Sequence, residues 1–571
     1  SGTHAVVKTQ EQMFDKFTFI RYNITMFRKT NPQTSLLEPA YALSPAKQRR
    51  LDRTWAVLFR ERCLPLVAED AFAACYCPDN GRPNVPVRLI VGILVLKDVF
   101  DLTDTEALEA ADFDVRWQTA LGLTAEDLAP CQKTLHNFRA LLETDGRVAQ
   151  LFKSTTDGLL AALGVSPDRQ RLDSTQICSN ITRLSRLSRF CETHRLLLHR
   201  LARHAPAVLS RVPVSVQRRY VRADGTDAPY DDARSSEGRR RLAVCARDAW
   251  RLVDALRGVD LPAPAAEAYA LVERLYEEQC LPLEAPVPPA PEDADAAEPS
   301  VPVRLRGNGE VAAGGLQSPH DPDATYGHKG VGYTATLCET VGNGEKPELI
   351  THVQLDTAYA SDQPHTVPVV EALQARGLQP RELLADASFA STANVLACQA
   401  AGTELVGPVT GGAAPVPETP QILVAWRPEL PPTACSLGVP AIDTQITAER
   451  VVVRFAALAC AGCPQAAGCP TKVQADGTRV YRAALAEAVT TQRRWAETTA
   501  AYQERYRWRA GIEATNSEVK GRHGLGHLRV RGKPRVFLAL CLKALACNCK
   551  RALQYWGRLA CQAAGACTQP A

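Results

Sequence analysis

The apolar period of the chain changes three times along its length, and that succession limits the folds open to it. Residues from about 46 to 162 read as helical throughout. Leu89, Ile90, Ile93, Leu94 and Leu96 follow Pro86 as one strongly apolar helix, and Thr103 with Glu106 forms a capping box at the next. Such short helices fit a helix-turn-helix-like module or a plain structural bundle, and periodicity does not separate the two. Arg171 to Ile177 then reads as a short strand. A long Arg-rich helical segment runs to about residue 281 and closes in Pro-rich sequence with the acidic run Glu292-Asp293-Ala294-Asp295, an exposed linker. Beyond Ser300 the pattern becomes α/β. Tyr333, Ala335 and Leu337 alternate with Thr334, Thr336 and Cys338, Asn343-Gly344 marks a turn, and Leu349 to Leu355 returns as a strand. A helix from about His365 to Ala375 leads to the run Leu383-Leu384-Ala385, which ends at Asp386. Another helix and the strand-like Glu404-Leu405-Val406 follow.

Strand, helical insertion, hairpin, helix and strand is the succession of a ribonuclease-H-like core, in which acidic side chains of adjacent strands meet at one sheet edge. The expected fold is therefore α/β, a ribonuclease-H-like core with insertions, preceded by an all-helical N-terminal domain. The expected organisation is an extended or poorly ordered segment at 1–45, a helical domain at 46–165, and a first core strand with Asp173 at 166–180. An Arg-rich helical insertion with its linker fills 181–300, and the core with Asp386 fills 301–404. A second insertion, Pro- and Ala-rich with β-type fragments such as Val451-Val452-Val453, spans 405–490, and a basic helical part of the core spans 491–571.

At 571 residues the chain is too long for one ordinary core, and 46% hydrophobic with 22% charged residues is the balance of a soluble globular protein. No run approaches the length of a membrane span. The start lacks the charged, apolar, small-residue succession of a secretory leader, and Met26 before Phe27-Arg28-Lys29 reads as a native start. Nineteen cysteines dispersed through such a chain read as reduced cytosolic thiols. The net charge of +4 hides an asymmetry: from residue 491 onward there are 15 Lys or Arg against 4 Asp or Glu. A second basic run, Ile181 to Arg222, holds ten Arg opposed only by Glu192. Concentrated cations suit a polyanion, whose condensed counterions they release, and equally suit a solvated helical face.

The most specific signal is Tyr506, Arg509, Glu513 and Lys520, which steps of three, four and seven would place on one helical face. An acid among cations there is either an intrahelical ion-pair array or a metal-binding carboxylate flanked by phosphate-holding cations. That skeleton resembles the Tyr-Arg-Glu-Lys signature of a large superfamily of bacterial insertion-sequence DDE transposases. Further stretches are similar to its branch with a helical N-terminal transposase domain: Gly81-Arg82-Pro83-Asn84, Phe113-Asp114-Val115-Arg116, Ala120-Leu121-Gly122-Leu123 and Thr134-Leu135-His136-Asn137-Phe138-Arg139. So does the segment from Ser318-Pro319-His320-Asp321 through Lys329 to Tyr333.

The resemblance implies that Asp173, in Asp173-Ser174-Thr175, and Asp386 are the two Asp, that Glu513 is the Glu, and that these catalytic residues are also the metal ligands. It implies Mg²⁺, with Mn²⁺ able to substitute, and metal-dependent cleavage at element ends followed by strand transfer of the 3′-hydroxyl into target DNA. Arg509 and Lys520 would contact DNA phosphate and Tyr506 would help position it. The partners implied are element ends and target DNA, with a homodimer in the paired-end complex and a location in the bacterial cytoplasm, nucleoid-associated when bound. After Asp386 the family often has Gly and then an aromatic; here Ser388 stands at the Gly position and Phe389 keeps the aromatic. A nuclease of the same fold and a catalytically dead DNA-binding relative are the two rival readings.

Two further groups stand out. Cys460, Cys463 and Cys469 supply a Cys-x-x-Cys and a third thiol, a possible structural Zn²⁺ site or simply unligated thiols; similar Cys spacing occurs in this family branch, and Cys435 is a weak fourth candidate. Arg183, Arg186 and Arg189 recur every third residue after Asp173, as a solvated face or as contacts to the DNA backbone. Trp495 and Trp508 read as core or as base-stacking rings, and His136, His194, His320 and His523 show no ligand pairing. DNA affinity should fall steeply with salt, with a log–log slope near −5 for about six neutralised phosphates, and a salt titration of binding by anisotropy checks it.

Overall fold

The computed structural model describes residues 27–31, 43–77, 83–285, 300–328, 330–411 and 419–563. Met26, Gly81-Arg82, Lys329, the acidic run at 292–295 and most of the segment 1–45 lie outside the described residues. The chain divides into two compact units, 1–97 with 102–144, and 98–101 with 145–571. The division between units falls at residue 144 rather than 165. The helix Arg147–Leu163, which the sequence groups with the N-terminal helices, packs instead against a strand and the C-terminal helix of the second unit.

The first unit is helical. Ile90, Ile93, Leu94 and Leu96 of the helix Val87–Val99 are buried, as an apolar surface all round requires. The capping box expected at Asp104–Phe113 is formed: Thr103 accepts from the Glu106 N–H at 3.3 Å, and Glu106 accepts from the Thr103 N–H at 2.7 Å.

The second unit is α/β. Its main sheet contains β1 (Arg169–Ile177), β2 (Thr325–Gly327), β3 (Gly330–Thr340), β4 (Ile350–Thr357), β5 (Glu382–Leu384) and β6 (Glu404–Val406). Across the sheet the order is β4-β3-β1-β5-β6, with β2 beside the start of β3. β3 runs antiparallel to β1 and β4, whereas β1, β5 and β6 are mutually parallel. Each parallel step is crossed by a helix, as such connections require: α1 (Thr366–Gln374) precedes β5 and α2 (Thr392–Ala400) precedes β6. Leu172, Cys338, Leu383, Val369, Val370 and Phe389 form the buried layer on that face. At Gly332 the backbone takes φ +141° and a Cβ would stand 2.1 Å from the Ile177 carbonyl oxygen, so only glycine lets β3 approach the end of β1.

Two insertions interrupt the sheet. Between β1 and β2 the helices Arg186–His204, Ser235–Leu256 and Ala263–Gln279 bury a core of their own. After β6 comes a four-stranded antiparallel sheet, β7 (Asp443–Ile446), β8 (Arg450–Phe455), β9 (Lys472–Val473) and β10 (Arg479–Ala484), in the order β7-β8-β10-β9. The chain then turns helical through Leu485–Glu497 and Ala500–Tyr506 to α3 (Ile512–Gly521) and the long α4 (Lys533–Ala563).

A buried charge network ties α3 and α4 to the sheet. Glu339 of β3 has no exposed surface and lies directly across from Arg171 of β1, which donates to it at 2.7 Å. The other Glu339 oxygen accepts from Thr515 of α3 at 2.7 Å and from Arg551 of α4 at 3.1 Å, and Arg551 also pairs with Glu518 at 2.9 Å. Arg171 further donates to Glu348. Asn548 of α4 exchanges two 2.8 Å hydrogen bonds with the backbone of Ile350 at the start of β4. Removing one partner of a buried pair leaves a charge without compensation. Arg551→Ala should therefore cost about 3–5 kcal/mol, read as a lowered denaturant midpoint of the second unit. An unchanged midpoint would mean that Glu339 is satisfied without it.

Candidate active site

Residues alternate faces along β1, so Leu172 faces the apolar layer while Arg171 and Asp173 share the opposite face. The parallel register pairs Arg171 with Leu384; two residues further along both strands stand Asp173 and Asp386, just past the end of β5. On the face carrying Arg171 and Asp173, Arg171 donates at 2.9 Å to the carbonyl of Trp508, which fixes the turn leading into α3. A Cβ on Gly511 would stand 2.1 Å from the Arg171 guanidinium, so the chain enters α3 at a point with no room for a side chain. Glu513 falls in the first turn of α3, where the helix dipole favours an anion.

Asp173, Asp386 and Glu513 converge on one cation. Arg509 lies 3.0 Å from Asp173, 3.8 Å from Asp386 and 3.0 Å from Glu513. Burial pulls the Arg509 guanidinium down, but Asp173, Tyr506, Asp386 and Glu513 outweigh it and hold it above its ordinary value. Their exposures differ: the Asp173 side chain is 11% exposed, that of Asp386 35% and that of Glu513 69%. Asn516, one turn beyond Glu513, donates to Asp173 at 3.0 Å, and its own side-chain oxygen is buried without a hydrogen-bond partner. Sequence reading missed Asn516; its signal is the three-residue step from Glu513 along one helix face.

The turn after Asp386 accommodates its serine. One Asp386 oxygen accepts from the backbone N–H of Ser388 at 2.9 Å, from the Ser388 hydroxyl at 2.6 Å and from the Phe389 N–H at 3.3 Å. Ser388 does not use the left-handed backbone region, so glycine is not demanded there. Its hydroxyl also lies 3.2 Å from Asp362, which accepts from Ser174 beside Asp173 at 3.0 Å. A fourth carboxylate, on the loop after β4, thus links the strand that carries Asp173 to the turn that carries Asp386; nothing in the sequence marked it.

The remaining expected residues are dispersed. Tyr506 and Glu513 do not share one continuous α-helix, because a 3₁₀ turn over Arg507–Gly511 separates them. Tyr506 stacks on Tyr502 with ring centroids 5.6 Å apart and packs on Val341, Leu384 and Val406. Lys520 lies half-buried near the end of α3. Trp508 is 39% exposed, with the Arg507 guanidinium 6.0 Å from its ring centre, and Trp495 is half-buried.

Arg183 is exposed but precedes the helix, which starts at Arg186 behind the Ser185 cap. Arg186 and Arg189 turn inward rather than forming an outward basic face. Arg186 donates to Gln279 at 2.7 Å and to the Arg306 carbonyl at 2.8 Å, and Arg189 donates to the Leu316 carbonyl at 3.2 Å. A different basic segment is held at the end of β1. The loop after α3 is stitched to the chain just beyond β1 by hydrogen bonds from Leu528 to Cys178 at 2.8 Å and from Asn180 to Val530 at 2.9 Å. Arg522, Arg529 and Arg531 of that loop are exposed. His523 is buried and donates at 2.9 Å to the Asp98 carbonyl; with Glu518 and Cys547 it forms a cluster of ligand-type atoms within 4.8 Å of one another.

The comparisons agree with this layout at both ends of the chain. Residues 45–141 match the model of a transposase domain (DUF772), and residues 439–553, which include Glu513, match that of a transposase DDE domain. Together the two matches, each over a part of the chain, indicate an insertion-sequence DDE transposase with a helical N-terminal region. No curated protein and no solved structure matches it. No described helix is long and apolar enough to cross a membrane.

Because Arg171 is pinned by two carboxylates and a carbonyl, it cannot yield to a methyl group at position 511. Gly511→Ala should lower stability by about 1–3 kcal/mol and shift the start of α3. A melting temperature equal to that of the unchanged chain would show that Arg171 moves freely.

Proposed function

We propose that the chain catalyses metal-dependent cleavage at the ends of a mobile element and transfer of the freed 3′-hydroxyl into target DNA. The observation that carries this reading is the convergence of Asp173, Asp386 and Glu513, from three distant parts of the sequence, on the single guanidinium of Arg509. The strand order β4-β3-β1-β5-β6, with β3 antiparallel to its neighbours, supports a ribonuclease-H-like core.

Three carboxylates against one guanidinium leave net negative charge, and their hard oxygens, with the unpartnered Asn516 oxygen, suit Mg²⁺ or Mn²⁺. Asp173, Asp386 and Glu513 would hold the ions. When bound, two such ions stabilise charge on the entering and leaving oxygens of an in-line phosphoryl transfer. Asn516 and Arg509 keep Asp173 oriented, and the Ser388 turn does the same for Asp386. Water attacks first and leaves a 3′-hydroxyl, and that hydroxyl then attacks a target phosphodiester in the same site. Arg509, Lys520 and the exposed Arg183, Arg522, Arg529 and Arg531 would meet DNA phosphates, with Tyr506 bracing the site from beneath.

The N-terminal helical unit, which ends at residue 144, would read the element ends, and two copies would pair them as a homodimer on bacterial nucleoid DNA. A structural Zn²⁺ on Cys460, Cys463 and Cys469 belongs to the same reading, because these thiols line one cavity.

Strand transfer of a labelled element end into plasmid DNA with Mg²⁺ tests the proposal. The intact chain should give joined product, and Glu513→Gln, Asp173→Asn and Asp386→Asn should give none. Asn516→Ala should lose about 10–100-fold, as residues orienting metal ligands do. Cleavage without joining would favour a nuclease, and binding without cleavage a DNA-binding relative. Arg529→Ala should weaken DNA binding evenly across sequences and reduce the salt slope by about 1.

A further inference from the structure

The insertion that carries β7 to β10 has a small core. Ile422, Val424, Val451, Val453, Phe455 and Tyr481 are its main buried side chains, and little regular structure joins its strands. Modules of that size commonly need a covalent or metal staple. Four cysteines from three separate stretches line one cavity of about 20 Å³ inside it. Cys435 comes from a tight hairpin, where its N–H bonds the Val439 carbonyl at 2.9 Å and its own carbonyl accepts from Gly438 at 2.9 Å. Cys460 and Cys463 flank a turn closed by a 3.3 Å bond from the Cys463 N–H to the Cys460 carbonyl, and Cys469 follows a second short turn. A cavity of that volume holds one water-sized body, and Ile422, Val439 and Phe455 make the rest of its wall largely apolar.

We propose that Cys435 joins Cys460, Cys463 and Cys469 as the fourth ligand of a structural Zn²⁺ that staples the insertion. Four thiolates in tetrahedral array are a closed structural set for zinc, and the turn between Cys460 and Cys463 is half of such a knuckle. Binding would draw the four sulfurs together around the ion. Each thiol releases its proton to solvent as it binds, which leaves a site of net charge −2. Arg479 is the cation at the cavity; it donates to the Ala466 carbonyl and to the Thr471 hydroxyl, each at 3.2 Å, and so stands beside the developing charge.

The other cluster of ligand-type atoms, Glu518, His523 and Cys547, is a poorer candidate. Arg551 already occupies Glu518 at 2.9 Å, burial pushes the Cys547 thiol up to about 12, and Lys543 and Lys550 lie near enough to His523 to repel a further cation. The zinc proposal adds a fourth ligand to the three-cysteine reading above and does not depend on activity toward DNA.

The test uses the full chain purified under reducing conditions without chelator. Elemental analysis should find one zinc per chain, and exchange for Co²⁺ should give the ligand-field and thiolate-to-metal absorption of four sulfurs. Cys435→Ser should bind Co²⁺ about tenfold more weakly or worse, with the spectrum of three sulfurs. Absence of zinc from the unchanged chain overturns the proposal, as does a four-sulfur spectrum that survives Cys435→Ser. The metal count and spectrum of the unchanged chain stand even where the variant fails to fold. Strand transfer is read separately, so failure of either proposal leaves the other standing.

Discussion

Glu339 is the point on which the candidate site depends. It is wholly buried, and a lone carboxylate there would be costly, so its two oxygens must be fully used. Arg171 comes from β1, Thr515 from α3 and Arg551 from α4, so satisfying one carboxylate docks two C-terminal helices on the sheet. The same arginine holds the Trp508 carbonyl, which sets where α3 begins. Asp173 stands two residues from Arg171 and Glu513 two residues before Thr515. Distances at the site are thus consequences of a network that takes no part in chemistry itself.

Such an arrangement answers a problem of electrostatics. Three carboxylates drawn together repel one another, and the fold must hold them close without strengthening their mutual repulsion by full burial. Arg509 relieves part of that repulsion, and the exposure gradient from Asp173 to Glu513 lets solvent relieve more. Rigidity is distributed in the opposite sense. Asp173, the least exposed, is fixed by the sheet, Arg509 and Asn516, whereas Glu513 is held by the i,i+4 pair with Arg509. A site of this kind keeps one acid nearly immobile and leaves another free to adjust to what it binds.

The sequence made the sheet legible because strands with one buried face alternate and turns carry Gly, Asn or Pro. The helix after His365 and the strand before Asp386 fall within a residue of their observed limits, and the hairpin around Asn343-Gly344 within three. The same signals set Asp173 within a strand and Asp386 just past the end of another. What pattern does not reveal is direction. Arg186 and Arg189 look alike in sequence to an exposed basic face, but backbone carbonyls of the insertion draw them inward. Helical steps of three, four and seven assume unbroken α geometry, and the 3₁₀ turn between Tyr506 and Ile512 departs from it to fit Gly511 against Arg171. Asn516 and Asp362 were hidden for another reason: each gains meaning only from a partner far away in the chain.

The insertions show how such a core tolerates extra mass. The helical insertion enters between strands of the sheet and the β insertion between β6 and the C-terminal helices; each brings its own buried cluster, and Trp426 and Leu485 join the β cluster to the layer beneath Leu172 and Leu383. Long connections cost little more loop entropy than short ones, provided the inserted part folds by itself. The helical insertion meets that condition with three long helices around Phe190, Leu197 and Leu252. The β insertion is far smaller, so its ordering must come from more than apolar burial. Four thiols gathered at one cavity, with Arg479 beside them, supply groups that can meet that need locally and leave the carboxylate site undisturbed.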